Sequence, residues 1–213
     1  MIRLMIDDQY ETMPWNALDA VVFDVGNVLL TFNPDKLLME LHPDDPALRA
    51  TLMERMFRSP YWVMLDHGTL TSEEAAVAMA GRNEALRPVI AQMLEYRLNL
   101  KQVIAEGLDA LHACKARGKK TYVLSNYQDY AFQYVYDRYD FFRLFDGLVI
   151  SAREGLVKPD PAIYKTLTDR YGLNPARTLF IDDAAANIEA ALHAGWQGFW
   201  FSRPGKLAAF LGA

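Results

Sequence analysis

Three apolar runs in this 213-residue sequence end in small polar or acidic residues. Ala20 to Phe23 gives way to Asp24, Thr121 to Leu124 gives way to Ser125 and Asn126, and Thr178 to Ile181 gives way to Asp182 and Asp183. An ionised carboxylate at the end of a buried strand is costly unless a cation or several donors compensate it. Three such carboxylates in one crevice would force at least one to take up a proton, and a hard divalent ion with oxygen ligands, most simply Mg²⁺, resolves that conflict. An Asp-Asp pair taken alone is more often a solvated loop or a helix cap, and Ser125 with Asn126 taken alone is a strand-ending turn. Their common place, directly after apolar runs, is what argues for a site. Lys158 precedes Pro159, which biases its backbone toward an extended conformation and favours projection of a side chain that carries positive charge as a point.

The elements that must position these residues follow from the rest of the pattern. Leu148 to Ile150 and Phe199 to Phe201 add two more strand-length apolar runs, making five in all. Helical patterns lie between most of them. One runs through Leu100, Val103, Ile104, Leu108 and Leu111 and stops at Gly118; a second starts with Asp160 as cap and Pro161 as first residue and ends near Gly172; a third runs from Ala184 toward Gly195. Runs that are apolar throughout and separated by helices predict a parallel sheet covered on both faces, a doubly wound α/β core whose strands share one carboxyl edge. Residues 34–99 break the rhythm, with several helical stretches, including one opened by a Thr71-x-x-Glu74 capping box, and no convincing buried strand. They are read as an all-helical cap inserted after the first strand, over the mouth of the sheet, with 1–33 and 100–213 forming the core. The cap segment expected to face the core is Trp62 to Thr71, with Asp66, His67 and Gly68.

Composition sets the outer bounds. A hydrophobic content of 52% with 12% aromatics is ample for a sizeable core. A formal net charge of -5 argues against nucleic-acid or anionic-membrane partners, because no cationic excess exists to release phosphate counterions. The single cysteine, Cys114, excludes an intramolecular disulfide and reads as a core thiol. Met1 to Trp15 carries Asp7, Asp8 and Glu11 and has neither a leader's nor a membrane span's apolar stretch, so the expected location is the cytoplasm. The aromatic series from Tyr127 to Phe145 has only Arg138 and Arg143 interleaved, which favours core packing over base stacking.

Four segments together carry a resemblance: Phe23-Asp24-Val25-Gly26-Asn27-Val28, Val123-Leu124-Ser125-Asn126, Val157-Lys158-Pro159-Asp160, and Phe180-Ile181-Asp182-Asp183 with Asn187. In that order and setting the chain resembles the haloacid dehalogenase superfamily, in particular its small phosphatases with a helical cap after the first motif. The resemblance implies Asp24 as phosphoryl acceptor, Ser125 and the Asn126 backbone as holders of a phosphate oxygen, and Lys158 as the neutralising charge. It implies Mg²⁺ bound by Asp24, the Gly26 carbonyl and Asp183, with Asp182 binding directly or through water. Asn27 and His67 are the remaining expected substrate contacts, and the partner is a small phosphorylated substrate.

One departure matters, because the family usually has a second Asp two residues after the nucleophile, as general acid and base, and here that residue is Gly26. Such proton transfers contribute about 10²- to 10⁴-fold. His67 is the candidate replacement, set against the plainer reading of a solvated residue in the turn before the helix that begins near Thr71. The Asp-x-Gly-Asn-Val form resembles a subgroup that includes a glucose-1-phosphate phosphatase, and an anomeric oxygen is a less basic leaving group than a simple alkoxide, so sugar 1-phosphates are the first expected substrates. A dehalogenase, or a phosphate-ligand binder with little turnover, are the alternatives.

Overall fold

The computed structural model describes residues 15–202 and 205–207, so Met1 to Trp15, apart from Trp15 itself, lies outside the described residues. The strands are β1 (Ala20–Phe23), β2 (Lys120–Ser125), β3 (Gly147–Ile150), β4 (Thr178–Asp182) and β5 (Gln197–Trp200), all parallel in the order β3-β2-β1-β4-β5. Their side chains alternate between two apolar layers. Val21, Phe23, Val123 and Ile181 face one side, against helices α6 (Ala105–Ala116) and α7 (Asp129–Arg138). Ala20, Val22, Leu124 and Phe180 face the other, against α9 (Pro161–Tyr171) and α10 (Ala185–His193). Burial on both faces is why these strands read as continuous apolar runs. Most of the aromatic series belongs to the first layer, with Phe132 and Phe142 fully buried, while Tyr130 is exposed. Cys114 is buried there too, and burial pushes its thiol up to about 12.

Two elements begin elsewhere than expected. β5 starts at Gln197 rather than Phe199, because its ladder with β4 pairs Leu179 with Gln197 and Phe180 with Gly198. Gly198 passes under α10 so closely that a Cβ there would lie 2.6 Å from Ile188 Cγ2, a constraint that strand propensity does not register. The helix expected from Leu100 starts at Ala105 instead, since Val103 bridges Leu30 and the Ile104 N–H donates to the Leu29 carbonyl at 2.9 Å. Tertiary partners outbid a local helical stripe there.

Five helices lie between β1 and α6: α1 (Pro34–Leu41), α2 (Pro46–Leu52), α3 (Pro60–Asp66), α4 (Ser72–Ala80) and α5 (Leu86–Tyr96), with a π-helical turn at Met53–Phe57. Leu38, Leu52, Met56, Ala76, Met79, Ile90 and Met93 give them an apolar core of their own, separate from the two layers on the sheet. The capping box at Thr71 is formed, with the Thr71 hydroxyl on the Glu74 N–H and the Glu74 carboxylate on the Thr71 N–H. The chain enters and leaves this helical cap along one seam. There the Thr31 N–H donates to the Gln102 carbonyl at 2.9 Å and the Gln102 N–H donates to Thr31 Oγ1 at 3.1 Å. Gly107 lets α6 rest on the loop after β1, where a Cβ would meet Val28 O at 1.9 Å. A short helix, α8 (Ser151–Glu154), follows β3 and meets the cap from below. No helix among the described residues is long and apolar enough to cross a membrane.

Candidate active site

β1 is the middle strand, so the residue that follows it is flanked by β2 and β4. The register sets Phe23 beside Val123 and Ile181, which brings the ends of these strands, Ser125 and Asp182, up around Asp24. The Ser125 hydroxyl donates to Asp24 Oδ1 at 2.6 Å, and Lys158 Nζ lies 2.9 Å from the same oxygen. Lys158 also donates to Asp182 Oδ2 at 2.6 Å, with 1% of its side chain exposed. Desolvation works against that buried ammonium, but Asp182 and Asp24 outweigh it and hold the lysine protonated. Burial lifts the Asp24 carboxyl to about 6, against the pull of Lys158 and Ser125 and with a push from Asp182. Burial also raises Asp183, which Asn27 partly offsets.

The side chains around this centre are held by the backbone and by one another. Asn126 clasps the Lys158 peptide in both directions: its Nδ2 donates to the Lys158 carbonyl at 2.9 Å, and its Oδ1 accepts from the Lys158 N–H at 2.7 Å. Asp182 accepts from Lys158, from the Ala184 N–H at 2.8 Å and, on both oxygens, from Asn187 Nδ2 at 3.0 Å. Asn27 occupies the left-handed region at φ 53, which Asn tolerates better than most residues. From there its Nδ2 donates to Asp183 Oδ2 at 3.0 Å and its Oδ1 accepts the Phe32 N–H at 2.8 Å. Both ends of Asn27 and of Asn126 are thus committed to holding neighbours.

Asp24, Asp182 and Asp183 each present a carboxylate oxygen within 4.8 Å of the others. Three buried or half-buried carboxylates face one ammonium, and the donors are hard oxygens, so the set fits a divalent cation such as Mg²⁺. The Gly26 backbone lines the same space.

A cavity opens above Asp24, walled on the core side by Gly26, Asn27, Asn126, Tyr127 and Asp183. Ser125 and Lys158 adjoin it through Asp24 Oδ1, which both contact, and Asp182 joins them through Lys158. The far wall comes from the cap and its exit: Trp62 and Asp66 of α3, Arg97 just past α5, and Lys101 on the returning linker. Burial lifts the Asp66 carboxyl to about 7 although Arg97 and a hydrogen bond with Gln128 pull it down. Burial and Arg97 together lower Lys101 to about 7, while its Nζ sits 4.5 Å from the Phe32 ring centroid and 5.8 Å from that of Tyr127. Arg97 is 7% exposed, lies 5.4 Å from the Trp62 ring centroid and donates to Gln128 Oε1.

The segment from Trp62 to Thr71 does meet the core, but His67 does not line the cavity. As the residue ending α3, it turns toward Gly155, and its Nδ1 is buried without a hydrogen-bond partner among the described residues. Asp66, one residue earlier, takes the cavity-facing position. Arg97, Lys101 and Gln128 were not singled out from the sequence. Only the four-residue spacing of Arg97 and Lys101 at the exit of the helical block hints at them.

A family profile described as haloacid dehalogenase-like hydrolase matches residues 18–195. The chain belongs to the haloacid dehalogenase-like hydrolase family. The fold agrees with that membership. A HAD family enzyme from Bacteroides thetaiotaomicron, solved as a mutant in complex with magnesium and inorganic phosphate, superposes with a TM-score of 0.67 at 18% identity, covering 85% of this chain and 93% of that one. An L-2-haloacid dehalogenase from Xanthobacter autotrophicus superposes with a TM-score of 0.63 at 17% identity, covering 90% and 81%. Among curated relatives, the sesquiterpene phosphatase astK of Aspergillus oryzae is 25% identical over 84% of this chain and 87% of its own length. Two further relatives are matched over only 18% and 34% of theirs, so the chain there corresponds to one part of a larger protein.

Proposed function

We propose that this hydrolase is a Mg²⁺-dependent phosphatase of small phosphorylated metabolites, with Asp24 as the phosphoryl acceptor and residues 34–99 as the cap that selects the leaving group. The observation that carries this is the joint placement of Asp24, Ser125, Lys158 and the Asp182–Asp183 pair at one strand edge. Asp24 Oδ1 is already engaged by Ser125 and Lys158, which leaves Oδ2 as the oxygen that attacks phosphorus. The ester P–O bond breaks as the Asp24–phosphorus bond forms, and water then releases phosphate from the aspartyl-phosphate. Lys158 and the Ser125 hydroxyl are the donors a phosphoryl oxygen meets on arriving at Asp24, and a fixed cation there offsets the repulsion between two anions. Asp24, Asp183 and the Gly26 carbonyl would hold Mg²⁺, which supplies further charge neutralisation of the phosphoryl group. Asp182, with both oxygens hydrogen-bonded to Lys158, Ala184 and Asn187, would add its negative charge to the site and act on a bound metal through water.

Sugar 1-phosphates are the first substrates in this reading. The rings of Trp62, Phe32 and Tyr127 offer flat apolar faces, while Asp66, Arg97 and Gln128 offer the hydrogen bonds that hydroxyls need. The relative named as a sesquiterpene phosphatase supports the reaction more than the leaving group, which the cap decides. A dehalogenase reading fares worse, because a halocarboxylate arriving at three carboxylates is repelled where a metal-bound phosphate is not. Phosphate release from a panel of sugar phosphates and p-nitrophenyl phosphate, with Mg²⁺ or with EDTA, tests the proposal. Metal-dependent turnover is expected, and a folded protein that hydrolyses none of these esters would refute it.

A further inference from the structure

We propose that Asp66 of the cap is the general acid and base of this site, doing from above the sheet what Gly26 cannot do beside Asp24. The inference rests on the phosphatase reading of the site. Gly26 has no proton to give, and a Cβ built there would find only Asp24 Oδ2 at 3.9 Å, so the place where the family's second Asp normally stands is open space. Among the described residues, Asp66 is the one carboxylate lining the cavity that comes from the cap rather than from the carboxyl edge of the sheet.

Its position is fixed from the core as well as from α3. The Ser151 hydroxyl donates to the Asp66 carbonyl at 2.5 Å while accepting the Tyr127 N–H at 2.9 Å. Gly68, at φ +77, lies flat on α8, where a Cβ would come within 2.4 Å of the Ala152 carbonyl oxygen. On the cavity side, Arg97 donates to Gln128 Oε1, and both of these buried side chains line the cavity with Asp66 and favour its ionised form. The charged and titratable groups that act on it are Arg97, Asp24 and Lys158, together with Lys101 and Tyr127 across the same cavity. Burial prevails over the cations and leaves the carboxyl near 7, able to give and take a proton around neutral pH.

The proton balance closes over one cycle. As the Asp24 oxygen bonds to phosphorus, the electron pair of the breaking ester bond stays on the leaving oxygen, which takes the proton of the Asp66 carboxyl. Asp66, now a carboxylate, takes a proton from a water whose oxygen attacks phosphorus. The Asp24–phosphorus bond breaks, phosphate leaves, and both carboxyls return to their starting states.

Asp66→Asn keeps the shape and removes the proton. Turnover of an alkyl phosphate should fall at least ~10²-fold in kcat. Release of p-nitrophenol, whose leaving oxygen needs no proton, should show a burst of about one equivalent per enzyme and then slow, because the aspartyl-phosphate accumulates. The limb of the kcat/KM pH profile near neutrality should vanish, and Gly26→Asp in the same chain should restore alkyl-ester turnover. Asp66→Ser carries the same expectation if D66N fails to fold. A variant that slows both esters equally, or changes KM alone, with no burst and an unchanged pH profile, overturns the role of Asp66 and leaves the phosphatase standing. A wild type that releases phosphate from neither ester overturns both.

Discussion

Replacing Lys158 with Met removes the cation from between two buried carboxylates while keeping most of the aliphatic volume. The ammonium touches Asp24 at 2.9 Å and Asp182 at 2.6 Å with 1% of its side chain exposed, so neither water nor another nearby cation can take its place. Breaking a buried ion pair by removing one partner costs about 3–5 kcal/mol. For a chain of this size each kcal/mol corresponds to roughly 2–4 °C, so Tm should fall by about 6–20 °C. The loss depends on pH in a definite direction. Lys158 is the strongest of the influences holding the Asp24 carboxyl down, so without it Asp24 protonates more readily, the repulsion is relieved in acid, and the deficit shrinks from pH 8 toward pH 5. Urea unfolding in EDTA at both pH values reads the effect. Added Mg²⁺ should recover part of the stability but little turnover, because the charge that meets the phosphoryl group is gone. A K158M midpoint equal to wild type at pH 8, or a deficit equal at both pH values, would refute the claim that this lysine is the keystone of the charge balance.

Other expectations follow from the same geometry. In metal-free protein, Asp24 near 6 and Asp66 near 7 both stand above the ordinary 3.8; an acid raised by folding stabilises the fold below its unfolded value and loses that contribution as pH rises through the folded one. Between pH 5 and 7, where lowered carboxylates such as Asp146 are already ionised and Lys101, lowered to about 7, still keeps most of its proton, stability in EDTA should therefore decline, at about 1.4 kcal/mol per unit of raised pKa, and Mg²⁺ should flatten the curve; chemical unfolding across that range checks it. Asn27→Gly keeps the left-handed backbone but drops the hydrogen bonds to Asp183 and Phe32, so a Mg²⁺ titration of Tm should show weaker binding with a stability loss of only about 1–2 kcal/mol. Gly68→Ala pushes a methyl into the Ala152 carbonyl at a positive φ, and proteolysis of the cap together with kcat should report a loosened cap on an intact sheet.

The α/β core and the helical block were legible because their signals are local. Asp160-Pro161 caps a helix, Thr71 and Glu74 close a capping box, and runs such as Val21-Val22-Phe23 are apolar because both faces of the sheet are covered. The core half of the site was legible for a related reason: a parallel sheet gathers the residues after its strands, so Asp24, Ser125 and Asp182 had to meet. The cap half was not. Whether Asp66 or His67 faces the cavity turns on one residue of helical phase at the end of α3, and Arg97, Lys101 and Gln128 come together only once the cap is docked by Ser151 and Gly68. Asn27 and Asn126 line the cavity, as their motif positions suggested, and the bonds of their side-chain amides to Asp183, Phe32 and the Lys158 peptide are a holding role that the sequence does not spell out.

The most direct test of the central claim is phosphate release by wild type and by Asp24→Asn, side by side with Mg²⁺ and with EDTA, on protein shown to be folded. Asp24 as phosphoryl acceptor predicts metal-dependent turnover in the wild type and none above background in D24N. A folded D24N that retains more than a small fraction of wild-type activity would contradict it.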